Sequence, residues 1–342
     1  MRSVNPIHPT DDSRVKHATA NVNGVTIHYV IGEPSGPPRA TVLCIHGFPD
    51  LWYTWRYQIP ALLAMDLRVI AVDCLGYGGS SAPKDKTSLF SIKPNADALA
   101  ALLDHLSIPS VILLAHDWGS MIAFRFYNYH PAKVTHIISL CVPYAPPHPG
   151  APFIPLTDVV RDHLPNFAYQ IALADPQTER DMAGPYNIRR FLKALYRGVG
   201  DGRKGPDGAE VSINVPRDIM RAVGDLPRGW ILSEDELEWY VDQFDRVGMH
   251  GPLSYYRNRR ANYDDEQILH DPVIKVPVLF LGASRDAALP PSMAAGQGRY
   301  IQDLTSRTLE CSHWMAWEKS DEVNALVTDW LEDRAFGVKA RL

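Results

Sequence analysis

The most informative stretch of this sequence is a short polar segment between two apolar ones. Residues 111–115 have the pattern of a buried strand, His116 and Asp117 follow, and apolar residues then recur at helical spacing from Met121 to Tyr129. A strand, a sharp turn and a helix, with small residues two positions before and two after the turn residue, are typical of a nucleophile elbow. The nucleophile position is occupied by Asp117, where many such turns have Ser or Cys.

A carboxylate at this position predicts a particular chemistry. If Asp117 displaces a leaving group from carbon, it forms an alkyl ester, which water can cleave at the carbonyl. The substrate should therefore have an electrophilic sp³ carbon, as an epoxide or an alkyl halide does, and a Ser-type esterase is disfavoured. The alternative is that Asp117 only caps the following helix, because Asp is favoured at helix N-termini.

Two further residues complete a pattern of nucleophile, acid and histidine along the chain. Asp286 comes shortly after the apolar run 276–281, and His313 follows the last strand candidate, 308–311. Each could be an ordinary loop or surface residue when considered alone. Three such residues at the ends of strands, in the order that hydrolases with a nucleophile elbow use, are much less expected by chance.

A fourth feature is the turn His46-Gly-Phe48-Pro49 after the apolar run 41–45. In open α/β sheets, Gly-containing turns at the carboxyl ends of central strands form ligand-binding loops. The amide of Phe48 is therefore a candidate oxyanion donor, and an ordinary strand-to-helix loop is the alternative.

The elements around these residues predict the fold class. Asn23-Gly24 separates two alternating segments and predicts a β-hairpin. Short apolar runs then alternate with helical stripes, which predicts an α/β fold with a mostly parallel sheet flanked by helices. Prolines cluster from Pro143 onward, and only helical stripes follow as far as Asn262. We therefore expect a core domain at 1–143 and 263–342, with a helical cap domain inserted at 144–262.

Composition limits the function further. The net charge of −5 comes from 34 basic and 39 acidic residues mixed along the chain, so we expect no nucleic-acid partner. The four cysteines show no metal-type spacing, and no metal or cofactor is expected. The sequence has no membrane-spanning run, and we expect a cytoplasmic protein. Ala340-Arg341-Leu342 is a degenerate peroxisomal signal, which makes the peroxisome an alternative location.

With these residues in view, the sequence resembles the epoxide hydrolases of the α/β-hydrolase superfamily, and especially the soluble fungal enzymes. The resemblance covers nearly the whole chain, and it suggests a role in secondary metabolism or on a lipid epoxide. The matching segments are His46-Gly-Phe-Pro49, Leu75-Gly-Tyr-Gly-Gly-Ser80, His116-Asp-Trp-Gly119, Phe167-Ala-Tyr169-Gln170, Tyr256-Arg257-Asn258 and Ser312-His313-Trp314.

The resemblance implies a role for each matching residue. Asp117 is the nucleophile, His313 activates water, and Asp286 orients His313. Tyr169 and Tyr256 hold and protonate the epoxide oxygen, although Tyr255 beside Tyr256 leaves the second tyrosine open.

The resemblance also implies an oxyanion hole and a particular backbone feature. The amides of Phe48 and Trp118 would form the oxyanion hole, and the Phe48–Pro49 bond should be cis. The sequence departs from the family at Ser120, where Gly or Ala is more usual, and in the long cap loop Gly198 to Gly208.

Aromatic residues near these segments predict an apolar substrate pocket, for which Trp52, Phe153, Phe167 and Trp314 are the candidates. Such a pocket would suit an aryl or long polyene epoxide. The sequence leaves the oligomeric state open, with a homodimer as one option.

Two alternative functions remain from sequence. A haloalkane dehalogenase would use the same Asp nucleophile, but those enzymes commonly have an Asn where this chain has Phe48. A catalytically silent ligand-binding protein on the same scaffold is the other alternative, since fold alone does not determine function.

Overall fold

The computed structural model describes residues 4–201 and 226–337. It begins with an antiparallel hairpin of β1 (Lys16–Val22) and β2 (Val25–Gly32). Asn23 and Gly24 join the strands with φ angles of 50° and 77°, which suits an Asn-Gly turn of type I′. The predicted hairpin is confirmed.

The hairpin is the edge of an eight-stranded sheet with the order β1-β2-β4-β3-β5-β6-β7-β8. β2 pairs antiparallel with β1 and β4, and the remaining neighbours pair parallel. The remaining strands are β3 (Ala40–Ile45), β4 (Leu67–Val72), β5 (Val111–His116), β6 (Val134–Leu140), β7 (Val278–Ala283) and β8 (Leu304–Leu309). The predicted α/β class with a mostly parallel sheet is confirmed.

The order of the strands determines where the candidate residues meet. β3 lies between β4 and β5. The next strand along the chain, β4, is therefore on one side of β3, and the strand after it, β5, is on the other side. Ligand sites in open α/β sheets form at such a reversal, outside the carboxyl ends of the strands. In this chain those ends carry the turn beginning at His46 and the elbow at Asp117.

Helices cover both faces of the sheet because their apolar stripes must be buried. α2 packs on α3, whereas α1 packs on the last helix, α12. The core helices are α1 (Gln58–Leu63), α2 (Ile92–His105), α3 (Trp118–Tyr129), α11 (Met315–Glu318) and α12 (Ser320–Arg334).

Between β6 and β7, the described residues form helices and no strand. These helices are α4 (Leu156–Asp162), α5 (Ala168–Ala174), α6 (Pro176–Asp181), α7 (Pro185–Leu195), α8 (Glu234–Val247), α9 (His250–Arg257) and α10 (Arg259–Glu266). The division into a core at 1–143 and 263–342 and a cap at 144–262 remains a prediction. Most of the predicted loop from Gly198 to Gly208 lies outside the described residues.

One strand prediction was wrong in its bounds. The last strand was expected at 308–311, but β8 runs from Leu304 to Leu309. Among the described strands, β8 pairs with β7 alone, and much of the strand is exposed. Its polar residues Thr305, Ser306 and Arg307 therefore hide the apolar pattern on which the prediction depended.

In residues 4–201 and 226–337, no helix has the length and apolar character needed to cross a membrane. The C-terminal tripeptide from Ala340 lies outside the described residues, so the structure does not test it.

The close approach of α3 to β3 gives a test of the fold. Gly119→Ala should destabilise the protein by about 1–3 kcal/mol or more. A Cβ there would lie 2.2 Å from the Ile45 carbonyl oxygen and 2.5 Å from that of His46, and neither backbone atom can move aside easily. The free energy of unfolding from urea titration measures the loss. Gly36→Ala is the control because its Cβ would contact nothing within 4 Å. Equal losses in both variants would contradict the argument.

Candidate active site

Asp117 occupies a strained turn between β5 and α3. Its φ and ψ angles are 51° and −128°, a conformation that L residues rarely adopt and that tends to persist at functional sites. Its side chain makes no capping hydrogen bond to α3. The structure therefore argues against the helix-cap interpretation.

The carboxylate of Asp117 faces the turn after β3. The amide of Phe48 donates a 2.7 Å hydrogen bond to Asp117 Oδ1, and the amide of Trp118 also interacts with this carboxylate. A side chain at Gly47 would collide with the Asp117 carboxylate, since an added Cβ would lie 2.5 Å from Oδ1. Glycine at 47 thus permits the approach. The Phe48–Pro49 bond is cis, as the resemblance implied.

His313 lies between the two predicted carboxylates. Its Nδ1 is 2.6 Å from Asp286 Oδ2, and its Nε2 is 3.6 Å from Asp117 Oδ2. Asp286 Oδ1 accepts hydrogen bonds from the amides of Ala288 and Leu289 at 2.9 and 3.0 Å. These hydrogen bonds fix Asp286, which can therefore orient the imidazole of His313. On the other side of the ring, His313 Nε2 lies next to the elbow at Asp117.

The environment shifts the pKa values of the two carboxyls in opposite directions. Burial raises the pKa of Asp117, although the field of His313 and the amides of Phe48 and Trp118 oppose this rise. Burial also acts on Asp286, but the charge and hydrogen bond of His313 outweigh it and lower the pKa of Asp286. Asp286 is therefore an anion at neutral pH and pairs with His313.

Tyr169 and Tyr256 line the same cavity as Asp117. Their ring centroids are 6.2 Å apart, and the Tyr256 ring meets those of Phe48 and Trp118 edge-on at 4.9 and 5.3 Å. Burial raises the pKa of both Tyr169 and Tyr256, so both hydroxyls keep their protons at neutral pH.

The structure distinguishes Tyr256 from its neighbour. The Tyr255 hydroxyl donates to the carbonyl oxygen of Leu75 at 2.8 Å and lies 3.1 Å from Asn95 Oδ1. It therefore contacts the loop after β4 and helix α2, and Tyr255 is absent from the wall of the Asp117 cavity. The geometry favours Tyr256 as the second acid.

Of the four predicted pocket residues, only Trp314 lines the cavity that contains Asp117. Trp52 is buried elsewhere, edge-on to the rings of Trp239 and His17, because the helical turn after Pro49 directs it away from the site. Phe167 lies behind Tyr169, with ring centroids 6.4 Å apart. Trp52 and Phe167 are therefore not walls of this cavity.

Phe153 lines a second cavity, which shares Tyr256 with the first. Trp118 and Met121 form part of its wall. Phe153 therefore does not line the cavity that contains Asp117, and its place in the substrate pocket stays a prediction. The remaining apolar wall of the first cavity was missed from the sequence and consists of Leu173, Phe191, Leu195 and Ala288.

Sequence reasoning also missed two buried histidines that hold the site's loops. His46 Nδ1 donates to the Gly47 carbonyl at 2.8 Å, and its Nε2 accepts from the Cys74 amide at 3.0 Å. His116 Nε2 donates to the carbonyl of His313 at 2.9 Å. Burial lowers their pKa values to about 4 and about 3, so both are neutral at pH 7. The signal in the sequence that could have revealed these two histidines is a polar residue at the end of an apolar strand.

In the described residues, His116, Cys141 and His313 are the one group of three side chains whose ligand atoms lie close enough to hold a metal, within 4.8 Å of one another. His313 already contacts Asp286 and faces Asp117, and burial raises the pKa of the Cys141 thiol. A metal here would compete with the hydrogen bonds that orient His313. The site fits cofactor-independent chemistry better.

Comparison with known proteins decides the family. A profile described as alpha/beta hydrolase fold matches residues 40–183. The chain is 32% identical to Epoxide hydrolase srdG of Neurospora crassa over 338 residues, covering 94% of this chain and 96% of that protein. The chain belongs to the epoxide hydrolase family.

Two other similar proteins agree with this. Bifunctional epoxide hydrolase 2 of Mus musculus is 32% identical over 335 residues, and this epoxide hydrolase spans 57% of its length. The crystal structure of Epoxide Hydrolase A from Mycobacterium thermoresistibile superposes with a TM-score of 0.79 at 27% identity, covering 93% of this chain and 98% of that chain.

The protein is therefore an epoxide hydrolase, which converts an epoxide and water into a diol. Its relatives support this function over those of a haloalkane dehalogenase and a silent binding protein. The two buried tyrosines agree with it, because an epoxide oxygen needs an acid when the ring opens whereas a halide does not.

The opposite pKa shifts predict opposite effects on stability. Asp117→Asn should increase the free energy of unfolding at pH 7 by about 1 kcal/mol, as substitutions in destabilised active sites do. The pKa of Asp117 is raised from 3.8, so its ionised form opposes folding at higher pH, and the advantage of Asn should disappear as the pH falls below 3.8.

Asp286→Asn is the matched comparison. Its lowered pKa means that the charge stabilises the fold above the ordinary value of 3.8 and loses this effect as the pH falls through the lowered pKa. Asp286→Asn should cost about 1.5–3 kcal/mol at pH 7. Urea titrations at pH 7 and at acidic pH measure both variants. An Asp117→Asn protein less stable than the parent at pH 7 would contradict the electrostatic account.

Proposed function

We propose that the reaction has two steps that share one carboxylate. In the first step, Asp117 Oδ2 attacks an epoxide carbon and the ring C–O bond breaks. The product is a hydroxyalkyl ester on Asp117. The observation that carries the proposal is that the amide of Phe48 already holds Oδ1, which leaves Oδ2 free to act and points it toward His313.

The tyrosines supply the acid in this first step. An alkoxide is a poor leaving group, and a phenol hydrogen-bonded to the ring oxygen can donate its proton as negative charge develops. Tyr169 and Tyr256 both border the cavity and are both protonated at neutral pH because burial raises their pKa values. The charge of Asp117 contributes to raising both.

The second step is hydrolysis of the ester. His313 Nε2 removes a proton from water, and that water attacks the carbonyl carbon of Asp117. The Oδ1 atom then carries negative charge, which the amides of Phe48 and Trp118 stabilise without reorganising. Asp286 keeps the imidazole oriented and stabilises its protonated form. The Cγ–Oδ2 bond then breaks, and the departing oxygen takes the proton from His313. The vicinal diol leaves with Oδ2 as one of its oxygens, and the proton on the newly formed Asp117 carboxyl returns the tyrosinate to a phenol.

The substrate class follows from the walls of the site. Phe191, Leu195 and Trp314 make the first cavity largely apolar, and a second cavity begins on the other side of Tyr256. An epoxide with an aryl or extended apolar substituent suits these surfaces. We propose such a lipid or polyketide epoxide as the natural substrate, in keeping with secondary metabolism.

Domain roles, location and assembly are proposals of the same kind. The segment at 144–262 acts as a cap that supplies the acids, and the core at 1–143 and 263–342 supplies the nucleophile and base. The sequence favours a cytoplasmic location, with the peroxisome as the alternative because of Ala340-Arg341-Leu342. A homodimer remains an option that the sequence leaves open.

A variant without the base should trap the ester. His313→Gln should still undergo the first step, because Asp117 and the tyrosines are intact, but should lose the second. Intact-protein mass spectrometry after incubation with styrene oxide should show a gain of one epoxide mass per chain. The double variant Asp117→Ala/His313→Gln is the control and should gain no mass. Equal labelling of both proteins would contradict the assignment of Asp117.

Removal of one phenol should slow the first step selectively. Tyr169→Phe and Tyr256→Phe should each lower the rate of ester formation about 10- to 100-fold, because one acid remains. Tyr255→Phe is the control, since the Tyr255 hydroxyl binds Leu75 and Asn95 and lies outside the cavity that contains Asp117. Rapid-quench measurement of the ester in single turnovers gives the rates. A larger loss in Tyr255→Phe than in Tyr256→Phe would reverse the assignment.

A further inference from the structure

The two tyrosines are on separate helices that must be held in register. Tyr169 is the second residue of α5, and Tyr256 is the next-to-last residue of α9. Their ring centroids are 6.2 Å apart. Both hydroxyls can reach one epoxide oxygen only if the two helices keep a fixed separation, so an interaction between these helices bears directly on ring opening.

Arg257, the residue after Tyr256, makes that interaction. Its Nε donates to the carbonyl oxygen of Ala174 at 3.1 Å, and its Nη1 donates to Glu179 Oε2 at 2.6 Å. Ala174 is the last residue of α5, and Glu179 lies on α6. One guanidinium therefore links the end of the Tyr256 helix to the end of the Tyr169 helix and to the helix that follows it.

Glu179 receives a second contact from the other end of α9. His250 is the first residue of α9, and its Nδ1 is 3.2 Å from both carboxylate oxygens of Glu179. The side chains of Arg257 and His250 are each 15% exposed, and that of Glu179 is 30% exposed. Side chains from both ends of the Tyr256 helix thus converge on a single half-buried carboxylate.

The charges in this cluster favour a fixed geometry. Burial alone would raise the pKa of Glu179, but the hydrogen bond and charge of Arg257 outweigh it and lower that pKa. The Ala174 carbonyl is at a helix C-terminus, where helical partners are missing and a cation is favourable. A guanidinium is planar with several directed N–H groups, so it can satisfy both acceptors in one orientation.

We propose that Arg257 and Glu179 are positioning residues that set the distance between the hydroxyls of Tyr169 and Tyr256. They touch neither the substrate nor Asp117, and they act through the relative placement of α5 and α9. This inference rests on the proposed role of the two tyrosines in ring opening. It requires that loss of the link slows ester formation and leaves ester hydrolysis, which depends on His313, unchanged.

The test compares both chemical steps in variants of the enzyme. Arg257→Gln should slow ester formation about 10- to 100-fold, because small displacements of reacting groups have effects of this size. Arg257→Lys should lose less, since an ammonium can bind one of the two acceptors. Glu179→Gln provides an independent variant of the same link. Arg161→Gln, which removes an exposed pair with Asp158 and Asp162 elsewhere in the 144–262 segment, is the control.

The two rate constants come from rapid-quench single turnovers with styrene oxide. The expected result is slow ester formation with ester hydrolysis within about twofold of the parent, a change too small to indicate a displaced base. Equal slowing of both steps in Arg257→Gln, Arg257→Lys and Glu179→Gln would mean a merely structural role and overturn the proposal. Parental rates in all three would also overturn it.

A further comparison, made in the Tyr169→Phe variant, distinguishes failure of this inference from failure of the proposed mechanism on which it rests. Tyr169→Phe lacks one of the two phenol hydroxyls, so the distance between the hydroxyls no longer matters. Adding Arg257→Gln to this variant should therefore slow ester formation much less than it does in the parent. Full additivity of the two substitutions would overturn the positioning role while leaving the tyrosine roles intact. Parental ester formation in both Tyr169→Phe and Tyr256→Phe would instead refute the tyrosine roles and this proposal with them.

Discussion

The hydrogen bond from the Phe48 amide to the Asp117 carboxylate is the interaction on which the rest of the site depends. It joins residues 69 positions apart in the chain, at 2.7 Å. It exists because β3 and β5 are neighbours at the point where the strand order reverses, so that their carboxyl ends meet. Glycine at 47 and at 119 keeps the two turns close, since a Cβ at either position would overlap neighbouring atoms.

In the proposed mechanism, this contact assigns different tasks to the two oxygens of Asp117. The oxygen that accepts the amide is stabilised as it gains charge in the ester's tetrahedral intermediate. The other oxygen, 3.6 Å from His313 Nε2, is available to attack carbon. One buried carboxylate can therefore serve as nucleophile first and as acyl group afterwards, and burial that raises its pKa also leaves it poorly solvated.

The proposed acids lie on helices between β6 and β7, and buried polar contacts connect neighbouring parts of that segment to the turn that contains Phe48 and Pro49. The hydroxyl of Tyr196 donates to the carbonyl of Pro49, and that of Tyr240 donates to Asp50 Oδ1 at 2.7 Å. Burial raises the pKa of Asp50 to about 7, although its hydrogen bonds to Thr54 and Tyr240 act to lower that pKa. These contacts tie α8 and the residue after α7 to the turn that follows β3.

Local patterns in the sequence were sufficient for the features whose causes are local. The elbow at Asp117, the hairpin at Asn23 and the buried strands have signals within a few residues, and the structure confirms them. Features that depend on packing were not accessible in this way. Trp52 lies close to the motif in sequence, but the helical turn that contains it directs its ring toward Trp239. Leu195, a wall of the cavity, carries no chemical signature.

The choice between Tyr255 and Tyr256 shows the same limit. Neighbouring positions on a helix point about 100° apart, so the two side chains reach different surroundings. The sequence does not show which side of α9 faces the cavity that contains Asp117. In the structure the Tyr255 hydroxyl meets Leu75, whereas the Tyr256 ring meets Phe48 and Trp118.

The central claim is that Asp117 forms the ester and supplies the first product oxygen. The most direct measurement is a single turnover with excess enzyme and styrene oxide in ¹⁸O-labelled water, with mass analysis of the diol and of the peptide containing Asp117. The account predicts an unlabelled diol and one ¹⁸O atom in the Asp117 side chain. A diol that carries ¹⁸O from the first turnover, with Asp117 unlabelled, would mean direct attack by water and would contradict the account.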